Sequence, residues 1–294
     1  MEIPLDLART LLAVVDAGTL DAAARALNIT PSAVSQRIKA IEQQLGRVLL
    51  VRSKPVRPTD AGAAVVRLAR QTALLEHDAR ASIGLDDAEV TSIPLAVNAD
   101  SLSTWILPAL ARVSASAPVV FELHREDQDY TAELLETGAV MAAVTSREAP
   151  VAGCTSSRLG AMRYVAVASP DFRDRWLPGR PDAAAYAAAP SVYFDRRDDL
   201  QALALRDYGV AGTPPLHFVP ASNDFARAVL LGMGWGMLPE AQCGAELERG
   251  ELVRLTPHRH IDVPLYWQQW NLRSPLLSRV ADEVEAEARA ALRR

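Results

Sequence analysis

Residues 19–46, TLDAAARALNITPSAVSQRIKAIEQQLG, constrain the fold more than any other stretch of the chain. Thr19 is placed to cap a short helix, its hydroxyl accepting from a first-turn N–H that the helix leaves unpaired. Ala22, Ala23, Ala24 and Ala26 favour helix and let a neighbouring helix approach closely, while Leu20, Ala23, Ala24 and Leu27 share one face. Asn28 and Ile29 break the pattern. Thr30 is a second cap, and Pro31 stands at the first helical position, where a missing N–H does no harm. The second helix is predicted to run to about Leu45 and to stop at Gly46. Val34, Ile38, Ile41 and Leu45 form its apolar stripe; Ser32, Ser35, Gln36, Arg37 and Lys39 occupy the opposite face.

Such a pair reads as a helix-turn-helix, in which the N-terminal part of the second helix meets base edges in the major groove. Gln pairs bidentately with adenine, Arg with guanine, and Ser with either, while Ser32 and the helix N-terminus suit a phosphate. The spacing fits equally well an ordinary amphipathic pair with a solvated polar face. Charge favours the DNA reading. Between Pro31 and Arg57 stand six cations, Arg37, Lys39, Arg47, Arg52, Lys54 and Arg57, against one acid, Glu42, in a chain of net charge −5. A local basic patch of this kind is what phosphate binding requires. The following VLLVRSKPVRPT suits a small hairpin wing carrying Arg52, Lys54 and Arg57, although a solvated surface hairpin would look the same.

From Thr59, a cap, a long helix extends to about Gly84. Ala61, Val65, Leu68, Thr72, Leu75, Ala79 and Ser82 recur at alternating spacings of four and three, a heptad seam of mostly small residues. The seam fits a two-stranded coil or a single helix packed on its own domain. Beyond residue 92 short apolar runs alternate with helical ones. Strands are expected at 94–97, 119–123, 140–144, 164–168, 191–194, 216–219, 236–238 and 265–270. Helices are expected at 102–114, 131–137, 200–208, 224–231, 239–248 and 275–294. The alternation predicts α/β architecture with parallel-rich sheets.

A length of 294 residues suits two or three domains, and 49% hydrophobic residues can supply their cores. No apolar run reaches the ~18 residues of a membrane span. MEIPLDLART carries acids and no basic region before an apolar stretch, so no secretion signal is expected and the cytoplasm is the expected location. Cys154 and Cys243 lack a metal or redox spacing and read as reduced thiols; His258 and His260 read as a solvated turn. No metal site, nucleophile elbow, P-loop or dinucleotide fingerprint is present in the sequence pattern, so neither a cofactor nor catalysis is expected.

The chain resembles the LysR-type transcriptional regulators. The resemblance is carried by LARTLLAVVDAGTLDAAARAL, SAVSQRIKAIEQQLG and LLVRSKPVRPTDAG, and the length and layout extend it over the whole chain. It implies a winged helix-turn-helix over 1–58, a dimerisation helix over 59–85, a hinge over 86–91 and an effector-binding domain over 92–294. That domain would comprise two Rossmann-like lobes of periplasmic-binding-protein type, one about 92–165 with 268–294 and the other about 166–267. GMGWGMLP at 232–239 matches the family's glycine-rich strand entry. The DNA-binding residues implied are Thr30, Ser32, Ser35, Gln36, Arg37, Lys39, Arg52, Lys54 and Arg57. The implied partners are double-stranded promoter DNA, a small-molecule effector, RNA polymerase and further copies of the chain, as a homodimer or homotetramer.

AVNADSLSTWILPAL (96–110), HREDQD (124–129) and LYWQQW (265–270) resemble one branch, the ArgP/LysG-like regulators that sense lysine and arginine and control genes for export or metabolism of the amino acid. The resemblance places the effector α-carboxylate on Ser101, Ser103 and Thr104 at a helix start, with Asp100 also at the site, although plain capping by Asp100 or Ser101 would explain the position equally. Its cationic groups would meet Glu126 and Asp127, with Asp195 or Asp224 completing the clamp, and Thr145 and Asn223 facing the same crevice. Charge is consistent: residues 1–85 hold 11 Lys/Arg and 8 Asp/Glu, residues 86–294 hold 20 and 28. The rival readings are a regulator of the same fold sensing another amino acid or an aromatic acid, and an enzyme fused to a DNA-binding segment.

Overall fold

The structure, a computed structural model, describes residues 2–85, 90–125, 128–210 and 212–294, with the backbone alone at 128–130. Helix α1 (Leu5–Ala17) ends at Gly18 in the left-handed conformation, φ +69°. Thr19 caps α2 (Leu20–Ala26), accepting from Ala22 N, and Thr30 caps α3 (Pro31–Leu45), accepting from Ala33 N. Both caps sit where the sequence placed them, and α3 ends at Gly46, φ +63°. Ala8, Leu11, Val14, Ala23, Val34, Ile38 and Ile41 form one core between the three helices. Strands β1 (Leu50–Val51) and β2 (Arg57–Pro58) pair antiparallel as the wing, Leu50 opposite Pro58 and Val51 opposite Arg57.

Helix α4 (Asp60–Ser82) starts against this unit. Thr59 caps it and also donates its hydroxyl to Val48 O at 2.7 Å. Gly62 is obligatory there: a Cβ would lie 2.0 Å from the Leu49 carbonyl oxygen. The heptad seam divides. Val65 is buried in the N-terminal core, whereas Leu75, Ala79 and Ser82 are exposed. The face that α4 buries within the chain is instead Val66, Ala69, Arg70 and Leu74, because α1 and α7 pack on that side. Leu74 joins the core of the second half of the molecule.

That half begins with β3 (Thr91–Val97), α5 (Ala99–Thr104), α6 (Leu107–Ser116), β4 (Val119–Arg125), α7 (Gln128–Thr137), β5 (Ala142–Thr145) and β6 (Cys154–Ala168). It continues with α8 (Pro170–Trp176), α9 (Ala183–Ala188), β7 (Ser191–Tyr193), α10 (Leu200–Asp207), β8 (Leu216–Phe218), α11 (Ser222–Leu230) and β9 (Gly236–Pro239). The chain closes with α12 (Glu240–Glu248), β10 (Val253–Arg254), β11 (Ile261–Trp270) and α13 (Pro275–Ala291). The helix expected over 102–114 is two helices, since Pro108 near the start of α6 cannot donate into the ladder of α5. The strand expected at 164–168 begins ten residues earlier, at Cys154, because its polar first half pairs with β11.

Strands β4, β3 and β5 run parallel, as the βα alternation predicts. Strands β11 and β6 then join antiparallel, and β9 and β10 pair antiparallel with β6. The parallel pair β7–β8 is tied to Trp235, the residue before β9, through a bridge from Ser191. Two lobes result, one built on β3–β4–β5 with α13 and the other on β7–β9. The long strands β6 and β11 cross between them, in register from Tyr164 opposite Ile261 to Cys154 opposite Trp270, with one irregularity at Leu265/Tyr266. No helix of the described residues is long and apolar enough to cross a membrane.

Candidate functional site

Two surfaces carry chemistry, and they differ in how their polar groups are engaged. On the first, the polar side of α3 faces solvent: Ser32, Gln36, Arg37 and Lys39 are exposed and Ser35 is half-buried. Thr30 is committed to its cap and also shares a 2.9 Å hydrogen bond with Ser32 Oγ. The Arg37 guanidinium donates to the buried Thr10 hydroxyl at 3.4 Å, which steadies it from α1. The wing holds Arg52, Lys54 and Arg57 exposed beside the helix. The single acid of the patch, Glu42, accepts from Leu49 N at 2.8 Å and so organises the turn into the wing. The nine residues expected on this surface thus fall on one helix-and-wing unit, with Ser35 alone half-buried.

The second surface is a cleft of about 420 Å³ between the lobes, of the size that holds small ligands. Asn98, Ala99 and Asp100 line it from the first lobe, Tyr164, Ile261 and Val263 from the crossover strands, and α10, α11 and α12 with the loop after β7 from the second. Among the described residues its lining holds four carboxylates, Asp100, Asp195, Asp198 and Asp199, against one guanidinium, Arg197. Arg197 is itself paired with Asp195 at 3.1 Å.

Asp100 is the central group. Its Oδ2 accepts from Tyr164 Oη at 2.6 Å and its Oδ1 from Ser222 Oγ at 2.7 Å, so one carboxylate joins the first lobe, a crossover strand and the second lobe. Gln242 supports Ser222, donating to its Oγ at 3.1 Å and to Asn223 Oδ1 at 3.2 Å. Burial pushes the Tyr164 phenol well above its ordinary pKa, and the adjacent Asp100 adds to the effect, so Tyr164 is a fixed donor. Burial likewise raises Asp198, against the N–H groups of Phe194 and Leu200 that its carboxylate accepts. Burial works to raise Asp195 too, but the N–H and guanidinium of Arg197 outweigh it and hold Asp195 below the usual range.

Of the ten effector residues expected, Asp100 and Asp195 line the cleft. Ser101 is wholly buried beneath it, and its hydroxyl has no hydrogen-bond partner among the described residues. The Thr104 hydroxyl returns to the Asp100 carbonyl at 2.5 Å, and Ser103 faces solvent. Thr145 is buried with its hydroxyl accepting from Arg147 N, Asn223 is taken up by Gln242, and Asp224 is exposed outside the lining. Glu126 and Asp127 lie outside the described residues. Sequence reasoning passed over Tyr164, Asp198 and Gln242. Their only local signals were a tyrosine in an apolar strand and the D-R-R-D-D run after β7, neither of which shows what faces it across the lobes. The LYWQQW segment has a different part: Gln268 is buried and holds the 147–151 loop, donating to Arg147 O and Ala149 O and accepting from Val151 N.

Residues 5–63 match the bacterial regulatory helix-turn-helix protein family of lysR type, and residues 88–289 match the LysR substrate binding domain. The lysine export transcriptional regulatory protein LysG of Corynebacterium efficiens is 44% identical over 289 residues, 97% of each chain. The crystal structure of ArgP from Mycobacterium tuberculosis superposes with a TM-score of 0.85 at 46% identity, covering 98% of both chains. Full-length LysG from Corynebacterium glutamicum with bound effector Arg superposes with a TM-score of 0.78 at 40% identity, covering 99% of this chain and all of that one.

Proposed function

Since the chain belongs to the LysR family of bacterial helix-turn-helix regulators, we propose that it is a cytoplasmic transcriptional regulator whose effector is a basic amino acid, L-arginine or L-lysine. It acts by binding and not by catalysis, and its targets include genes for export or metabolism of that amino acid. The observation that carries the effector class is the cleft lining, four carboxylates against one already paired guanidinium. A cation is the ligand group that such a lining stabilises. The relative named for lysine export and the arginine-bound structure point the same way.

In this reading Asp100 and Asp198 receive the ligand's cationic groups, with Asp195 beside them. The α-carboxylate sits at the head of α5, where Asn98 and Ala99 line the cleft and the Ser101 hydroxyl lies unpaired below. Glu126 and Asp127 remain expected contributors. The division of labour is residues 1–58 for DNA, 59–85 for pairing and 92–294 for the effector. The pairing surface is the exposed remainder of the α4 seam, and a homodimer or tetramer presents recognition helices in pairs to promoter DNA. Ligand shifts the lobes because Asp100 exchanges its bonds to Tyr164 and Ser222 for bonds to ligand, which gives the two lobe arrangements different affinities. RNA polymerase then meets differently presented DNA.

Calorimetry with L-arginine, L-lysine and L-citrulline tests the reading. Citrulline has the shape of arginine without its side-chain charge. Saturable binding of arginine or lysine, at least about tenfold tighter than citrulline, is expected. Equal affinity for citrulline would remove the carboxylates from the explanation.

A further inference from the structure

Helix α4 does not merely lead to the effector half; besides Leu74 in that core and the 2.8 Å Thr91–His77 hydrogen bond, it is seated there through Arg67. Two glycines permit the seating. At Gly138 (φ +76°) a Cβ would lie 2.7 Å from Arg67 Cβ and 2.8 Å from Arg67 Cα, and at Gly153 (φ +75°) one would lie 2.7 Å from Arg67 Nη2. The Arg67 guanidinium donates to Ala152 O at 3.3 and 3.4 Å and to Gly153 O at 3.3 Å, and lies 5.7 Å from the centre of the Trp270 ring. Trp270 is fully buried, and its Nε1 donates to Leu135 O.

The place of these partners in the fold gives the contact its meaning. Ala152 and Gly153 immediately precede β6, and Trp270 ends β11, paired in register with Cys154. One guanidinium therefore grips both crossover strands at their first-lobe ends. Further along the same strands Tyr164, Ile261 and Val263 line the cleft. The same helix is fastened to the DNA-binding unit by the Arg70–Asp16 and Arg9–Glu76 ion pairs.

We propose that Arg67 is the positioning residue through which the state of the lobes reaches the DNA-binding unit. A tilt of the crossover strands moves Ala152, Gly153 and Trp270, and the planar, five-donor guanidinium converts that movement into a displacement of α4. The contact touches neither the cleft nor the DNA face. It rests on the ligand reading above for the stimulus, and on the geometry alone for the connection.

Contiguity is not coupling, so the test measures coupling directly. In the full-length protein, arginine and lysine affinities are measured with and without a duplex selected on the parent. By linkage their ratio equals the change that ligand makes in DNA affinity, about 5- to 150-fold in coupled proteins. In Arg67→Ala the ratio should fall below twofold, while ligand affinity without DNA and DNA affinity without ligand each stay within about threefold of the parent. Arg67→Lys, which keeps the charge but not the forked donors, should retain part of the ratio. Gly153→Ala, which drives a Cβ into the guanidinium, should lower it with Arg67 still present. An unchanged ratio in Arg67→Ala overturns the proposal, as does a tenfold loss of either separate affinity, which would make Arg67 part of a site or of the fold. Hydrogen exchange across residues 152–160 and 261–270, with and without duplex, needs no ligand. DNA-dependent protection there should be present in the parent and absent in Arg67→Ala; its absence in the parent, or persistence in the variant, also overturns the proposal. If neither amino acid binds the parent, the ligand reading fails and the exchange measurement decides Arg67 alone.

Discussion

The basic face of α3 and its wing differs from the cleft between the lobes in the state of its charges. Lys39, Arg52, Lys54 and Arg57 are exposed, and the one nearby acid, Glu42, is turned to a backbone N–H. In the cleft, Asp100 is held by Tyr164 and Ser222, and Asp195 by Arg197. The first surface can take up phosphates with little rearrangement. The second must give up internal bonds to accept a ligand, and that exchange is what allows binding to change the lobes. A rigid open cleft lined by free carboxylates would bind a cation equally well in every arrangement and switch nothing.

The largest effect that could break this comparison is at Asp100. Asp100→Asn preserves shape and removes the charge. Loss of one partner of a buried charge pair is worth several kcal/mol, so arginine or lysine affinity should fall on the order of 100-fold by calorimetry. Affinity for DNA without amino acid should stay within about twofold. Undiminished ligand binding would mean that Asp100 is a structural tie and that the cation is read elsewhere in the cleft.

On the open face the expected effects are smaller and separable. Arg37→Ala should weaken the selected duplex about tenfold and narrow its preference over random DNA, because Arg37 is positioned by Thr10 for a base edge. Lys54→Ala should lower affinity for all sequences alike and reduce the slope of log affinity against log salt by about one. If Arg37→Ala lowers only the salt slope, Arg37 is a phosphate contact and the base reading lies with Ser32, Ser35 and Gln36.

How far each surface was legible follows from the same contrast. Caps, turn, stripe and cations of the first lie within residues 19–57, so helical periodicity brings them to one face without knowledge of the rest of the fold. The cleft joins Asp100 to Tyr164 and Ser222 across sequence separations of 64 and 122 residues. Of the residues the resemblance implied, Asp100 and Asp195 line the cleft. Ser103 and Thr104, expected at the ligand, lie outside that lining. In so short a helix one of these side chains points to solvent and the other folds back on the Asp100 carbonyl. The α4 seam divides: Val65 is consumed by the chain's own core, while Leu75, Ala79 and Ser82 lie exposed.

The pH dependence sharpens the electrostatic side. Asp198 titrates above the usual aspartate value, chiefly because it is buried. A cation bound beside it favours the ionised form, so binding expels a proton when the pH lies below that raised pKa. Affinity should therefore be flat above the pKa and fall as pH drops through it, by at most about tenfold per unit for one proton. Asp198→Asn should flatten the profile. DNA affinity in the same range should show no matching inflection, since none of the nine residues expected to meet DNA is a carboxylate.

The smallest expected effect lies where a hydroxyl of the open face is already engaged. Thr30 was expected to touch DNA, yet its hydroxyl is the acceptor for Ala33 N and is shared with Ser32. If capping is its main part, Thr30→Ala should cost about 1 kcal/mol of stability in thermal unfolding, and Thr30→Ser, which keeps the acceptor, should restore most of it. The salt slope of DNA binding should be unchanged in both, because a neutral hydroxyl displaces no counterion. A loss of DNA affinity in Thr30→Ala beyond about fivefold, restored by Ser with no change in thermal stability, would instead make the hydroxyl a direct contact. Even the prearranged surface would then depend on one group serving its own helix and the partner together, as Asp100 serves the lobes and the ligand.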